Sequence, residues 1–107
     1  MKIRFYRSSD REALQAYQLT DLRFTSHPKE AVADLENRYA ILGLVENQIV
    51  TFLILDAGEE KYTYGGQPDS LLLRNFSTDE GFQMRGYGSK TLKLLPDFIR
   101  EHLPMYK

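Results

Sequence analysis

The sequence predicts a mixed α+β domain with its elements in the order β-α-α-β-β-β-α, and three observations carry that prediction. The chain opens on strict alternation, Met1, Ile3 and Phe5 against Lys2, Arg4 and Tyr6, which is the period of a half-buried strand. Two nearly all-apolar runs, 39–45 and 49–55, flank Glu46-Asn47-Gln48 and read as a hairpin of well-buried strands. Toward the end, Leu92, Leu95 and Ile99 stand at i, i+3 and i+7 with Phe98 beside them, while Lys90, Lys93, Asp97, Arg100 and Glu101 lie largely elsewhere. That is the pattern of an amphipathic helix with a leucine-rich buried face.

The elements between follow from local signals. Ser9 and Glu12 have capping-box spacing, and Ala13, Leu14 and Tyr17 share a helical face, so a first helix is expected over about 10–19. The polar stretch "TDLRFTSHP" ends at Pro28, which suits the first position of a second helix bearing Ala31, Val32 and Leu35 and closing at Asn37. His27, before that proline, reads as a cap or turn residue. After the hairpin, Gly58, Gly65, Gly66 and Pro68 mark a loop, with a short extension of the hairpin around Tyr62 and Tyr64. The run 70–78, "SLLLRNFST", is a fourth strand. The last helix ends near His102-Leu103-Pro104, and Pro96 inside it is expected to kink it.

Composition sets bounds on function. A chain of 107 residues fits one domain, 1–107, and 42% apolar with 27% charged residues is an ordinary globular balance. The net charge of −1 argues against a general nucleic-acid or membrane-surface binder, so any anion must be recognised locally. Without cysteine there is no disulfide, thiolate metal site or cysteine nucleophile, and no His/Glu cluster has ligand spacing, so no metal is expected. Neither a signal-like start nor a membrane-length apolar run is present, which makes a cytoplasmic location the default expectation.

The chemistry lies in "GFQMRGYGSKT", residues 81–91, between the fourth strand and the last helix. A helix start exposes unpaired N–H groups and a partial positive charge, which together bind phosphate oxygens. At Gly86 and Gly88 a side chain would keep such a ligand off the backbone and resist positive φ, and Arg85 and Lys90 add cationic contacts at the rim. A Walker A loop is excluded because Ser89, not glycine, precedes Lys90-Thr91. The dinucleotide fingerprint fails because Gly86-Tyr87-Gly88-Ser89-Lys90-Thr91 ends in threonine and follows a hairpin.

What remains is Gln83-Met84-Arg85-Gly86-Tyr87-Gly88, which resembles the Gln/Arg-x-x-Gly-x-Gly/Ala signature of the GNAT N-acetyltransferase superfamily. The element order and the words "LLLRNFS" and "GYGSKTLKLLPDF" on either side are similar to that superfamily too. The resemblance implies a GNAT fold and a direct acetyl transfer from acetyl-CoA to an amine. By the same resemblance, Gln83, Met84, Arg85, Gly86, Tyr87 and Gly88 would hold the pyrophosphate, with Ser89 and Lys90 touching phosphate. Phe76, Ser77 and Thr78 would pair with the pantetheine arm, and one of their N–H groups would polarise the thioester. Asn75 and Asp79 flank this place and are the catalytic candidates; Glu46 reads as a solvated turn carboxylate. Phe24, in the segment that lies over the acceptor in the family, is the substrate-binding candidate. The family's fifth strand and fourth helix have no counterpart before Lys107, so the chain is expected to be the N-terminal portion of the fold. Its fourth strand would keep an open edge, available for homodimerisation or strand exchange. A non-catalytic CoA-binding or subunit-interaction module is the alternative reading. A valine at Gly86 is expected to block the phosphate position and leave the free fold largely intact.

Overall fold

The structure, a computed structural model, describes residues 1–20 and 26–106. Four antiparallel strands form one sheet in the order β1-β2-β3-β4: β1 Lys2–Phe5, β2 Arg38–Val45, β3 Gln48–Asp56 and β4 Leu72–Thr78. Among the described residues three α-helices cover it, α1 Arg11–Gln15, α2 Pro28–Ala31 and α3 Tyr87–His102. This is the α+β order expected.

The hairpin register follows from its turn. Glu46 and Asn47 both have positive φ, 51° and 67°, so two residues close the hairpin and Gln48 joins β3 opposite Val45 instead of staying in the turn. Alternation along β2 and β3 then builds two cores. Leu42, Leu44, Phe52 and Ile54 face α1 and α2 together with Leu14 and Tyr17. Ile41, Leu53 and Leu55 face the other way, against Leu95 and Phe98 of α3.

The helices depart from the periodicity. The first is not a continuous helix over 10–19: a 3₁₀ turn at Ser8–Asp10 leads into α1, which ends at Gln15. Its last bonds already tighten to i−3, and the backbone of Gln18 is taken by Asp79 and Glu80 instead of by another helical turn. Nor does Ser9 with Glu12 form the start. Asp10 does so, accepting the Arg7 N–H at 2.8 Å and a bidentate pair from the Arg4 guanidinium, both bonds 2.8 Å. The second helix is a single turn, and His27 caps it by accepting the Lys29 N–H on Nδ1 at 3.1 Å. Asn37, at φ 57°, marks the entry to β2 and not the end of the helix.

Glu59–Tyr64 forms a 3₁₀ helix, not an extension of the hairpin. The buried Lys61 closes that loop by donating from Nζ to the carbonyls of Pro68 and Ser70 at 2.8 and 3.0 Å. The last helix runs unbroken through Pro96 to His102. Its buried face is Thr91, Leu95 and Phe98; Leu92 and Leu94 are exposed, which corrects the expectation of a leucine face. The rotation has a polar cause. Thr91 Oγ1 lies 2.8 Å from Thr51 Oγ1 on β3 and donates to its own Tyr87 carbonyl, so threonine and not leucine sits at the contact nearest the helix head.

Candidate active site

The residues singled out between 75 and 90 meet at the outer edge of β4 and the head of α3. β4 is an edge strand with a bulge: between the pairs Phe52–Ser77 and Ile54–Arg74, β3 contributes Leu53 and β4 contributes both Asn75 and Phe76. Asn75 sits at φ 53°, a left-handed conformation that asparagine tolerates. The ladder to β3 is locally broken there. Phe76 points into the core under α3, whereas Ser77 turns to the α1 side and shares a hydrogen bond of 2.9 Å with the Tyr17 hydroxyl. Asn75 donates from Nδ2 to Ser26 Oγ at 2.9 Å.

Asp79 ends the strand and starts a 3₁₀ turn, Glu80–Phe82. One of its carboxylate oxygens accepts the Gly81 N–H at 2.8 Å, and the other accepts the Gln18 N–H at 2.8 Å. The Gln83 side chain reaches toward the Thr78 carbonyl but stays at 3.5 Å, too long to hold it. Met84 is fully exposed at φ 65°, and Gly86 follows at φ 80° as the residue before α3.

At the head of α3 the Gly86 carbonyl accepts the Lys90 N–H at 3.0 Å, the first bond of the helix. Among the described residues the amides of 83–89 donate to no protein acceptor, and no side chain caps them. Nor is there an acidic residue in the first turn, where helices ordinarily gain from one. The positive end of a 16-residue helix is therefore uncompensated. A Cβ built on Gly86 would meet nothing within 4 Å, so the space above that backbone is open. Gly88 differs from expectation: it lies inside α3 without positive φ, and its Cβ would touch Thr78 Oγ1 at 3.4 Å and the Phe76 ring at 3.5 Å. Its smallness serves the packing of the helix head onto β4. The Arg85 guanidinium lies 5.6 Å from the Phe82 ring centre and Lys90 Nζ 5.8 Å from that of Tyr87, holding both exposed cations beside the loop.

Together these features leave unpaired donors and a helix positive end beside the open edge of β4, the chemistry that suits an anion with closely spaced oxygens. Ser89 and Lys90 lie in the first turn of α3, and Phe76, Ser77 and Thr78 line the adjoining edge. Phe24 lies outside the described residues. Glu46 is exposed in the hairpin turn, away from hydrogen-bond contact with the loop.

Tyr17, Gln18 and Glu80 were not singled out by the sequence, because their partners lie about sixty positions away and no spacing rule connects them. Tyr17 is buried against the bulge, and burial pushes its phenol above its ordinary pKa of 10; the Ser77 bond opposes that and the Asp79 carboxylate adds to it. The hydroxyl therefore keeps its proton. Ala13, Ala16, Tyr17, Asp79 and Phe82 line part of a 260 Å³ cavity between α1 and the turn. Among the described residues no group of three potential ligands could hold a metal ion, and no helix is long and apolar enough to cross a membrane.

No protein-family model matches the chain. It is 34% identical over 110 residues to YbbJ of Bacillus subtilis, an uncharacterised N-acetyltransferase, covering 97% of this chain and 69% of that protein. A GNAT-family acetyltransferase of Staphylococcus aureus superimposes with a TM-score of 0.61 at 16% identity, over 95% of this chain and 67% of the other. A Bacillus anthracis protein assigned as a streptothricin acetyltransferase, solved in complex with acetyl coenzyme A, gives 0.58 at 12% identity, over 94% and 68%. The mixed α+β fold is thus one that this chain shares with acetyltransferases of known structure. The chain belongs to the GNAT N-acetyltransferases, a family of enzymes that transfer acetyl groups.

Proposed function

We propose that the chain transfers acetyl from acetyl-CoA to an amine, holding the diphosphate on the backbone of residues 83–90 and the pantetheine arm along Phe76, Ser77 and Thr78. The observation that carries this reading is the head of α3: amides without a protein acceptor among the described residues, no first-turn acid, and open space over Gly86. A diphosphate fits that cradle, since a Cβ at Gly86 would occupy the space that its oxygens need. Acetyl-CoA, when bound, supplies an activated thioester carbonyl.

The chain's own part is to aim donors and to manage protons. An N–H of β4 that β3 does not use would stabilise negative charge building on the carbonyl oxygen. The amine must lose a proton before it attacks, because a primary amine is protonated at neutral pH. Asp79, whose two oxygens each accept one backbone N–H, from Gln18 and Gly81, stands at the end of β4 as the candidate to receive it. Asn75 has no titratable group and orients instead of titrating.

Two measurements test the proposal. CoA at about 100 times its dissociation constant should stabilise the fold by roughly 2.7 kcal/mol, seen as a raised melting temperature. Acetyl-CoA with a panel of polyamines, aminoglycosides and peptide amines should release free thiol for at least one acceptor. Stabilisation without thiol release across the panel would leave the CoA-binding module as the reading, and no stabilisation at all would refute both.

A further inference from the structure

The short turn Glu80–Phe82 faces two ways. Toward the phosphate loop, the Phe82 ring lies 6.4 Å from that of Tyr87 and carries the Arg85 guanidinium above it. Toward α1, Asp79 accepts the Gln18 N–H, and the Glu80 N–H donates to the Gln18 carbonyl at 2.8 Å. The Glu80 carboxylate accepts the Thr20 N–H and, at 2.8 Å, the Thr20 hydroxyl.

Asp79 alone caps the turn, through the Gly81 N–H, so the turn does not need the Glu80 carboxylate. That carboxylate is spent on the chain leaving α1. One residue before Gln18 stands Tyr17, whose hydroxyl meets Ser77 at the bulge. A single turn therefore touches both the loop that would take the diphosphate and the chain that holds Tyr17 against β4.

We propose that Glu80 is a positioning residue for acetyl transfer: it ties the chain leaving α1 to the entry of the phosphate loop, so that filling the loop stiffens residues 18–20 and fixes Tyr17 on Ser77. The inference rests on the loop being the CoA site. Coupling of this kind is carried by an element that both sides order, and it is reciprocal.

The test is amide hydrogen exchange of the full chain with and without CoA, for the unaltered protein, Glu80→Ala and Glu80→Gln. In the unaltered protein CoA slows exchange at 84–89 and, on the order of tenfold, at Gln18 and Thr20. Glu80→Ala keeps the protection at 84–89 and loses it at Thr20. Glu80→Gln restores it, because the amide oxygen still accepts the Thr20 N–H. Protection at 84–89 with none at Gln18 and Thr20 in the unaltered protein, or the same protection in Glu80→Ala, overturns the inference and leaves the CoA site standing. No protection at 84–89 overturns both.

Discussion

At Gly86 the backbone and the proposed ligand ask for the same residue for different reasons. Its φ of 80° disfavours any side chain, and the space above it is open. Valine there would therefore strain the free fold as well as fill the site, contrary to the expectation that it leaves the fold largely intact, because a β-branched residue does not settle at positive φ. Gly86→Ala should lower stability by about 1–2 kcal/mol from conformation alone. Gly86→Asn separates the two effects: asparagine tolerates the left-handed region, so the melting temperature should stay close to that of the unaltered protein while CoA affinity drops on the order of tenfold, about 1.4 kcal/mol. Urea unfolding and calorimetric titration with CoA check the pair. Equal affinity in Gly86→Asn would mean that the open space is not where the ligand sits.

At the scale of elements, the docking of α3 on the sheet depends on a buried polar pair, Thr51 and Thr91, with Gly43 beside it. A Cβ on Gly43 would stand 1.9 Å from Thr51 Oγ1, so Gly43→Ala should destabilise by about 1–3 kcal/mol through overpacking. Thr91→Val strands the Thr51 hydroxyl and should cost about 1–3 kcal/mol, whereas Thr51→Val with Thr91→Val together should cost less than the single change. Urea midpoints of the three variants decide it.

The same contact explains how much of the fold was legible. Strands and hairpin were, since period-2 alternation and the buried runs depend only on neighbours in sequence. The glycine loop was, because its residue types are dictated by local backbone chemistry. The face of α3 was misread by one position because a threonine pair between residues 51 and 91 outweighs leucine periodicity, and α1 was overextended because Gln18 bonds to residues 79 and 80. The bulge at Asn75 leaves no sequence mark beyond an asparagine that tolerates φ 53°. Long-range partners of this kind are invisible to any window of one chain.

For the whole molecule, two buried carboxylates link stability to acid. The Arg4 guanidinium holds Asp10 below the ordinary carboxylate range, against its burial. For Asp56 burial pushes the other way, and the Gly58 N–H with Arg38 and Arg74 more than offsets it, so its pKa is lowered too. A lowered folded pKa means the unfolded chain binds protons first. The stability these groups contribute is present above the unfolded value, near 3.9, and is lost as pH falls through the lower folded values. The urea midpoint should therefore fall on acidification below about pH 4, and the fall should be smaller in Asp10→Asn and Asp56→Asn than in the unaltered protein.

The central claim is that the bare amides at the head of α3 hold the diphosphate of acetyl-CoA. The most direct measurement is an amide-resolved NMR titration of the ¹⁵N-labelled chain with CoA. The account predicts the largest shifts at Met84, Arg85, Gly86, Tyr87, Gly88 and Ser89, with smaller ones along Phe76, Ser77 and Thr78; saturating CoA that leaves 84–89 unmoved, or shifts another surface instead, would contradict it.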